Sequence, residues 1–294
     1  MTFPAHLLFP LSSSVGYVLA VLLVKRSASY GVGLWRTTFV ANLAMGICFS
    51  PLWLLGGPPI PAGLWWQPVL AGGLFFAGQV ATFLALEGDV SVATPVLGLK
   101  ILLVALLSAM LLQDPVPLKW WVAACLSTGA IVLLNSGGRG MVHRRVGATI
   151  LWAALAACAY ALTDVLVQKW APAWGVGRFL PLMFGSLALI SFALIPRFQA
   201  PLRSIPRAAW PWLLPGAVIL ALQAASMTYA LGVYGDATAV NIVYASRGLW
   251  SVAAVWLVGH WFGNEEQTLP SHLLRNRLGG AALMLAAIGL VVFG

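Results

Sequence analysis

Charge is scarce in this sequence. Lysine, arginine, aspartate and glutamate make up 8% of its 294 residues, where soluble domains carry about 25%. Acids are scarcer still, seven against sixteen basic residues. There are three cysteines. Cys48, Cys125 and Cys158 all fall in apolar runs, without metal spacing or loop pairing, and read as small buried hydrophobes. Alternating strand patterns are missing, which argues against a β-barrel. A nucleophile-elbow glycine pattern, a His-Glu-x-x-His helix and a phosphate-binding glycine loop are all absent. The chain is therefore expected not to be an enzyme and to need no cofactor or metal.

What is present is apolar length. The chain is 61% hydrophobic, mostly in runs long enough to cross a bilayer, which predicts an all-α membrane protein. Ten spans are expected near 6–24, 34–55, 65–86, 91–112, 118–134, 147–168, 177–195, 210–232, 237–262 and 277–293. Trp65, Trp66, Trp120, Trp121, Trp170, Trp174, Trp210, Trp212 and Trp261 fall near span ends, where an aromatic belt places them. The segment Met1 to His6 lacks the basic region of a signal peptide, so the first run reads as a retained helix. The net charge of +9 sits in short loops, where it signals topology and not nucleic-acid binding.

The sequence repeats itself. Gly88-Asp89 to Lys100 aligns without a gap on Gly235-Asp236 to Arg247, 147 positions on. Val24-Lys25-Arg26 to Gly33 matches Gln168-Lys169-Trp170 to Gly177, 144 positions on. The repeat unit is five spans: residues 1–134 form one copy, 147–294 the other, and 135–146 link them. An odd unit reverses the sense of crossing, which predicts two inverted five-helix repeats and alternating access around a midplane site. One set of loops holds Lys25, Arg26, Arg36, Arg139, Arg144, Arg145, Arg197, Arg203, Arg207, Arg275 and Arg277; the other holds Lys119, Lys169 and Arg178. The excess marks the first side as cytoplasmic and places both termini outside. Helices five and ten are rich in small residues, Ala123, Ala124, Ser127, Thr128, Gly279, Gly280, Ala286 and Ala287 among them, and are expected at the periphery or at a homodimer seam.

Val92-Ala93-Thr94-Pro95 leading into the fourth helix, the corner Leu112-Gln113-Asp114 after it and Gly129 to Leu133 closing the fifth carry a family resemblance. Gly263-Asn264-Glu265 and Gly279 to Gly289 echo it in the second half. Over essentially its whole length the chain resembles the drug/metabolite transporter superfamily in its ten-helix, EamA-like form. The resemblance implies a multi-pass carrier in a bacterial inner membrane, with a cavity lined by helices one to four and six to nine. Lys100 and Arg247 depart from the family's apolar habit. Carriers of phosphorylated sugars in the superfamily place basic residues on these helices, which makes an anionic substrate an expectation by analogy.

The two cations carry the functional reading. Each lies nine to twelve residues into a span, about 15 Å deep, where a charge costs at least about 2.5–3.5 kcal/mol and is usually functional. Asn241, Tyr244, Arg247, Gly248 and Ser251 share one face of the ninth helix, and Thr94, Leu97, Lys100, Val104 and Ser108 the matching face of the fourth. Gly98 and Gly248 are expected to leave room for a ligand. Asp164 is the one clear intramembrane acid, so two cations face a single carboxylate. A carboxylate, phosphate or sulfonate on the substrate would relieve their repulsion, about 2 kcal/mol at 8 Å and an effective dielectric of ~20. The opposing reading pairs Lys100 with Asp164 and Arg247 with backbone carbonyls as structural glue. For Asp164 a structural partner, a proton-coupling group and an ammonium ligand stay open.

Tyr17, Tyr160 and Tyr229 are candidate substrate donors or packed aromatics. Gln79 and Gln223, at near-equivalent repeat positions, line the cavity or bond between helices. Ser12, Ser13 and Ser14 are expected to bond to their own helix, Arg36 to snorkel to the interface, His260 to be interfacial, and Asp89 and Asp236 to face helix N-termini. The expected activity is secondary transport of a small organic anion. An amino-acid or metabolite exporter, with its ammonium on Asp164, stays open, as do a lipid-handling flippase and a structural membrane subunit. The expected partners are a small-molecule substrate and the lipid bilayer.

Overall fold

In the computed structural model the described residues are 4–59, 63–87, 90–113, 115–135, 146–258 and 271–293. Asp89, Asp114, Arg139, Arg144, Arg145, the stretch His260–Glu265 and nearly all of the linker lie outside them. Among the described residues there are helices and no strands. In order they are α1 (Leu8–Ala28), α2 (Leu34–Phe49), α3 (Trp66–Leu86), α4 (Val90–Gly98), α5 (Lys100–Leu111) and α6 (Leu118–Asn135). Then follow α7 (Val146–Trp174), α8 (Val176–Ile190), α9 (Trp210–Tyr234), α10 (Ala237–Tyr244), α11 (Arg247–Val258) and α12 (Ser271–Val292). Short 3₁₀ turns precede α1 and extend α2 and α8.

Seven of these stretches are long and apolar enough to cross a membrane: Ala5–Ala28, Leu34–Leu55, Trp66–Leu86, Val92–Leu111, Val146–Trp174, Val176–Arg197 and Arg207–Tyr234. Leu118–Leu134 and Leu278–Val292 are apolar but shorter. The chain is a helical, multi-pass type of molecule. The fourth and ninth expected spans are not continuous helices. Each is broken once, at Leu99 and at Ala245–Ser246.

The halves interleave. Helix α1 packs on α9, α2 on α8 and α9, and α3 on α7 and α8. Helix α7 is the spine, touching α3, α4, α5 and α9. It can do so because it presents Ala153, Ala156, Ala157 and Ala161, all buried, which lets neighbouring backbones approach closely. The main core lies between Phe49, Trp174, Phe179, Met183, Phe184 and Leu231, with Phe49 and Phe184 stacked at 3.8 Å between centroids. Trp174 belongs to this core and not to a belt: it is fully buried and donates to Gln67 Oε1 at 2.9 Å.

Helices α6 and α12 pack on each other. A Cβ on Gly280 would lie 2.9 Å from the Ala130 carbonyl and 2.8 Å from Leu134. The small residues of these two spans are spent on a seam within the chain.

Loop contacts sort into two ends. At one, Arg36 on α2 donates to the Gly31 carbonyl at 2.6 Å and lies 3.4 Å from Ser204, while Arg26 stacks on Tyr30 and Trp212. At the other, Lys169 donates to the Leu111 carbonyl and Arg178 to that of Pro58. Arg36 does not snorkel. It is 4% exposed and clasped beneath the loop ahead of α9, where a carbonyl and a hydroxyl take its terminal nitrogens.

Candidate functional site

The two breaks set the site. Leu99 and Ser246 are 147 positions apart, and the residue after each is a cation that opens the next half-helix. In the first half the Leu99 N–H bonds the carbonyl of Val96, three residues back, at 3.0 Å. The second half has the same shortened bonding. Ser246, Gly248 and Leu249 all bond carbonyls three residues back. Those N–H groups are satisfied, so any positive charge offered there comes from the side chains and not from free helix-end donors.

Lys100 Nζ lies 2.7 Å from Asp164 Oδ2 on α7. Asn241 on α10 donates Nδ2 to the same oxygen at 2.8 Å and to the Ala237 carbonyl at 3.0 Å. Asp164 is 6% exposed and Asn241 2% exposed, so this is a buried, fastened pair. For Lys100 the opposing reading, a pair with Asp164, is the one observed, and the expectation that it grips the substrate's acidic group is corrected. The acid that neutralises it is one turn below Tyr160, whose ring centroid is 5.8 Å from Nζ. Tyr160 reaches this position because α3 offers Gly78 there: a Cβ on Gly78 would lie 2.9 Å from the ring.

Arg247 is arranged differently. Its guanidinium carbon sits 4.9 Å from the Tyr17 ring centroid and 4.6 Å from that of Tyr244. The two rings meet edge to face at 6.2 Å. No carboxylate among the described residues lies within ion-pair distance of Arg247, and the side chain is half-buried. The Tyr244 hydroxyl donates to Gln223 Oε1 at 3.2 Å, and the Ser13 hydroxyl lies 2.9 Å from the same oxygen. Ser246, in the break, donates to Ser14 at 3.0 Å. Asn241, which holds Asp164, and Tyr244, which lies against Arg247, stand one turn apart on α10, so α1, α5, α7, α9, α10 and α11 converge on one polar locus at mid-span.

The other candidates divide. Gln223, Tyr17, Tyr160, Tyr244, Asn241 and Asp164 belong to this locus. Thr94 is half-buried on α4, which packs on α7. Gln79 is elsewhere: its amide pairs reciprocally with Asn42 on α2, both bonds at 2.9 Å, and Asn42 also donates to Ser191 at 2.7 Å. That is interhelical bonding. Tyr229 joins an aromatic group with Phe9 and Tyr234. Gly98 and Gly248 do not leave ligand space. A Cβ would lie 2.9 Å from Ile131 at Gly98 and 3.1 Å from Leu134 at Gly248, so these glycines admit α6. Asp236 makes no side-chain cap; the Ala237 N–H is taken by Gln168 Oε1 at 2.8 Å, and Asp236 lies 3.9 Å from His6 Nε2.

Ser13, Ser14, Ser246, Asn42 and Gln168 are partners that the sequence pattern did not single out for these roles. Ser12 and Ser14 do bond locally, to Phe9 and Leu11. Ser13 instead reaches α9. Of these partners, only Ser246, next to Arg247, carried a signal in the sequence, a hydroxyl beside a mid-span cation.

Comparison with known proteins adds the fold alone. A solved structure described as "Crystal structure of protein" matches with a TM-score of 0.74 at 18% identity, covering 98% of this chain and 96% of that one. No protein-family model matches the chain, and no curated protein does.

Proposed function

We propose that the chain is a secondary carrier of the drug/metabolite transporter type, with ten spans in two inverted five-helix repeats and the arginine-rich loops in the cytoplasm. It resides in a bacterial inner membrane and moves a small organic anion by alternating access. One observation carries this reading: a half-buried guanidinium at mid-span, laid against two tyrosine rings, with no carboxylate partner among the described residues. Such a charge is costly in a bilayer and is kept for a ligand. An anion about 4 Å from it gains roughly 4 kcal/mol at an effective dielectric of ~20, before desolvation. Tyr17 and Tyr244 hold the planar fork in one orientation, so less freedom is lost when an oxyanion docks on it. The breaks at Leu99 and Ala245–Ser246 give the crossing points about which half-helices tilt.

An amino acid is the less favoured substrate. Its ammonium would need Asp164, whose Oδ2 already accepts from Lys100 and Asn241. A homodimer would have to form on the outer faces of α6 and α12, where Leu118, Val122 and Leu285 are exposed. The test is uptake of radiolabelled organic acids into proteoliposomes. Arg247→Ala abolishes uptake at unchanged thermal stability, and Arg247→Lys raises KM about tenfold or more by losing the fork. Uptake by Arg247→Ala at the wild-type rate ends the proposal.

A further inference from the structure

The locus contains three charged side chains: Lys100 and Asp164 in an ion pair held by Asn241, and Arg247 against Tyr244, one turn from Asn241 on α10. Their sum is +1 + 1 − 1 = +1. Glu87 and Asp236, the other acids among the described residues, sit at helix ends and not at this depth. The carboxylate is not a loose gate. Lys100 and Asn241 both grip the same oxygen, at 2.7 and 2.8 Å, and Asp164 and Asn241 are both more than nine-tenths buried. Lys100 is thereby withdrawn from ligand binding, and one unit of positive charge is left for the cargo, on Arg247.

We infer that the cargo is a monoanion, and that Asp164 is the residue that sets this valence. This rests on the anion-carrier reading above. A monoanion on Arg247 brings the occupied site to zero. A dianion leaves a net negative charge at mid-membrane, where water does not screen it. Substrates of this class carry one carboxylate or one sulfonate; phosphate monoesters, which hold close to two charges above pH 7, are rejected. Asp164 discriminates without touching the substrate, by cancelling the second cation.

The test uses two probes with one skeleton, benzenesulfonate and phenyl phosphate, titrated calorimetrically into the purified full-length protein in detergent at pH 8. Wild type binds the sulfonate at least about tenfold more tightly, as one uncompensated charge several ångströms away requires. Asp164→Asn keeps an acceptor for Asn241, raises the site to +2 and reverses the preference. Lys100→Met combined with Asp164→Asn returns the site to +1 and restores it. Should Asp164→Asn fail to fold, wild type alone answers: phenyl phosphate, measured against benzenesulfonate, binds more tightly at pH 5, where it is a monoanion, than at pH 8. If Arg247→Ala abolishes binding of both probes but wild type prefers the dianion, or the preference ignores Asp164 and the pH, the valence rule falls and the carrier reading stands. If neither probe binds, or Arg247→Ala binds both as wild type does, the anion site itself is wrong and the rule goes with it.

Discussion

Replacing Asp164 with leucine should cost more than its single ion pair suggests, and replacing Lys100 as well should recover most of the loss. The pair is 2.7 Å long, with side-chain exposures of 16% for Lys100 and 9% for Asp164. Breaking a buried pair from one side costs about 3–5 kcal/mol, mainly because a charge is stranded. Stranded Lys100 is the more exposed partner and can recruit water, which lowers its share to about 2–4 kcal/mol. Asn241 loses one acceptor and keeps the Ala237 carbonyl, about 0.5–1.5 kcal/mol more. Asp164→Leu is therefore destabilised by about 3–5 kcal/mol. Lys100→Met strands the deeper carboxylate and costs a similar amount. The double variant removes both charges and should lie within about 2 kcal/mol of wild type, since apolar replacement of a whole buried pair is nearly neutral. The coupling energy of at least about 3 kcal/mol is read from a double-mutant cycle of SDS-titration unfolding in mixed micelles, followed by circular dichroism. Single variants within about 1 kcal/mol of wild type, or a double variant as unstable as the sum of the singles, would refute the fastened-pair account.

Three further outcomes follow from the geometry. Gly98→Val collides with Ile131 and should lower stability by about 1–3 kcal/mol; a thermal melt of Gly98→Val with Ile131→Ala should recover part of it, and no rescue would mean the α4–α6 approach is wrong. Asn42→Leu leaves Gln79 without its amide partner, costing about 0.6–2 kcal/mol, while anion affinity, measured by calorimetry, stays at the wild-type value because the pair lies outside the cationic locus. Tyr244→Phe keeps the ring beneath Arg247 and loses the hydroxyl with its bond to Gln223; affinity should fall no more than about tenfold, whereas Tyr244→Leu, which removes the ring, should fall further.

Helix existence and most span edges were legible because apolar run length and glycine–proline punctuation are local properties. The Gly235–Asp236 boundary and the start of α2 at Leu34 fall where the sequence puts them. The Lys100–Asp164 pair was legible only as the less favoured alternative. Its partners are 64 residues apart and on different helices, so their meeting depends on how α5 crosses α7. The glycine roles were misread for the same reason. Gly98 and Gly248 lie beside the cations in sequence, but what fills the space above a glycine is decided by the neighbour, here α6. The breaks after Gly98 and Tyr244 were missed because a shift from i−4 to i−3 bonding leaves no mark on the apolar pattern of a span.

The interleaving of the halves bears on how the chain is made. Helices α1, α2 and α3 find their main neighbours in α7, α8 and α9, which leave the ribosome later. At about 5–20 residues per second, the 64 residues between Lys100 and Asp164 take roughly 3–13 s to synthesise. Throughout that delay an ammonium group waits at or in the bilayer without its counter-ion. That first half has to hold together until α7 arrives with Asp164 to claim it.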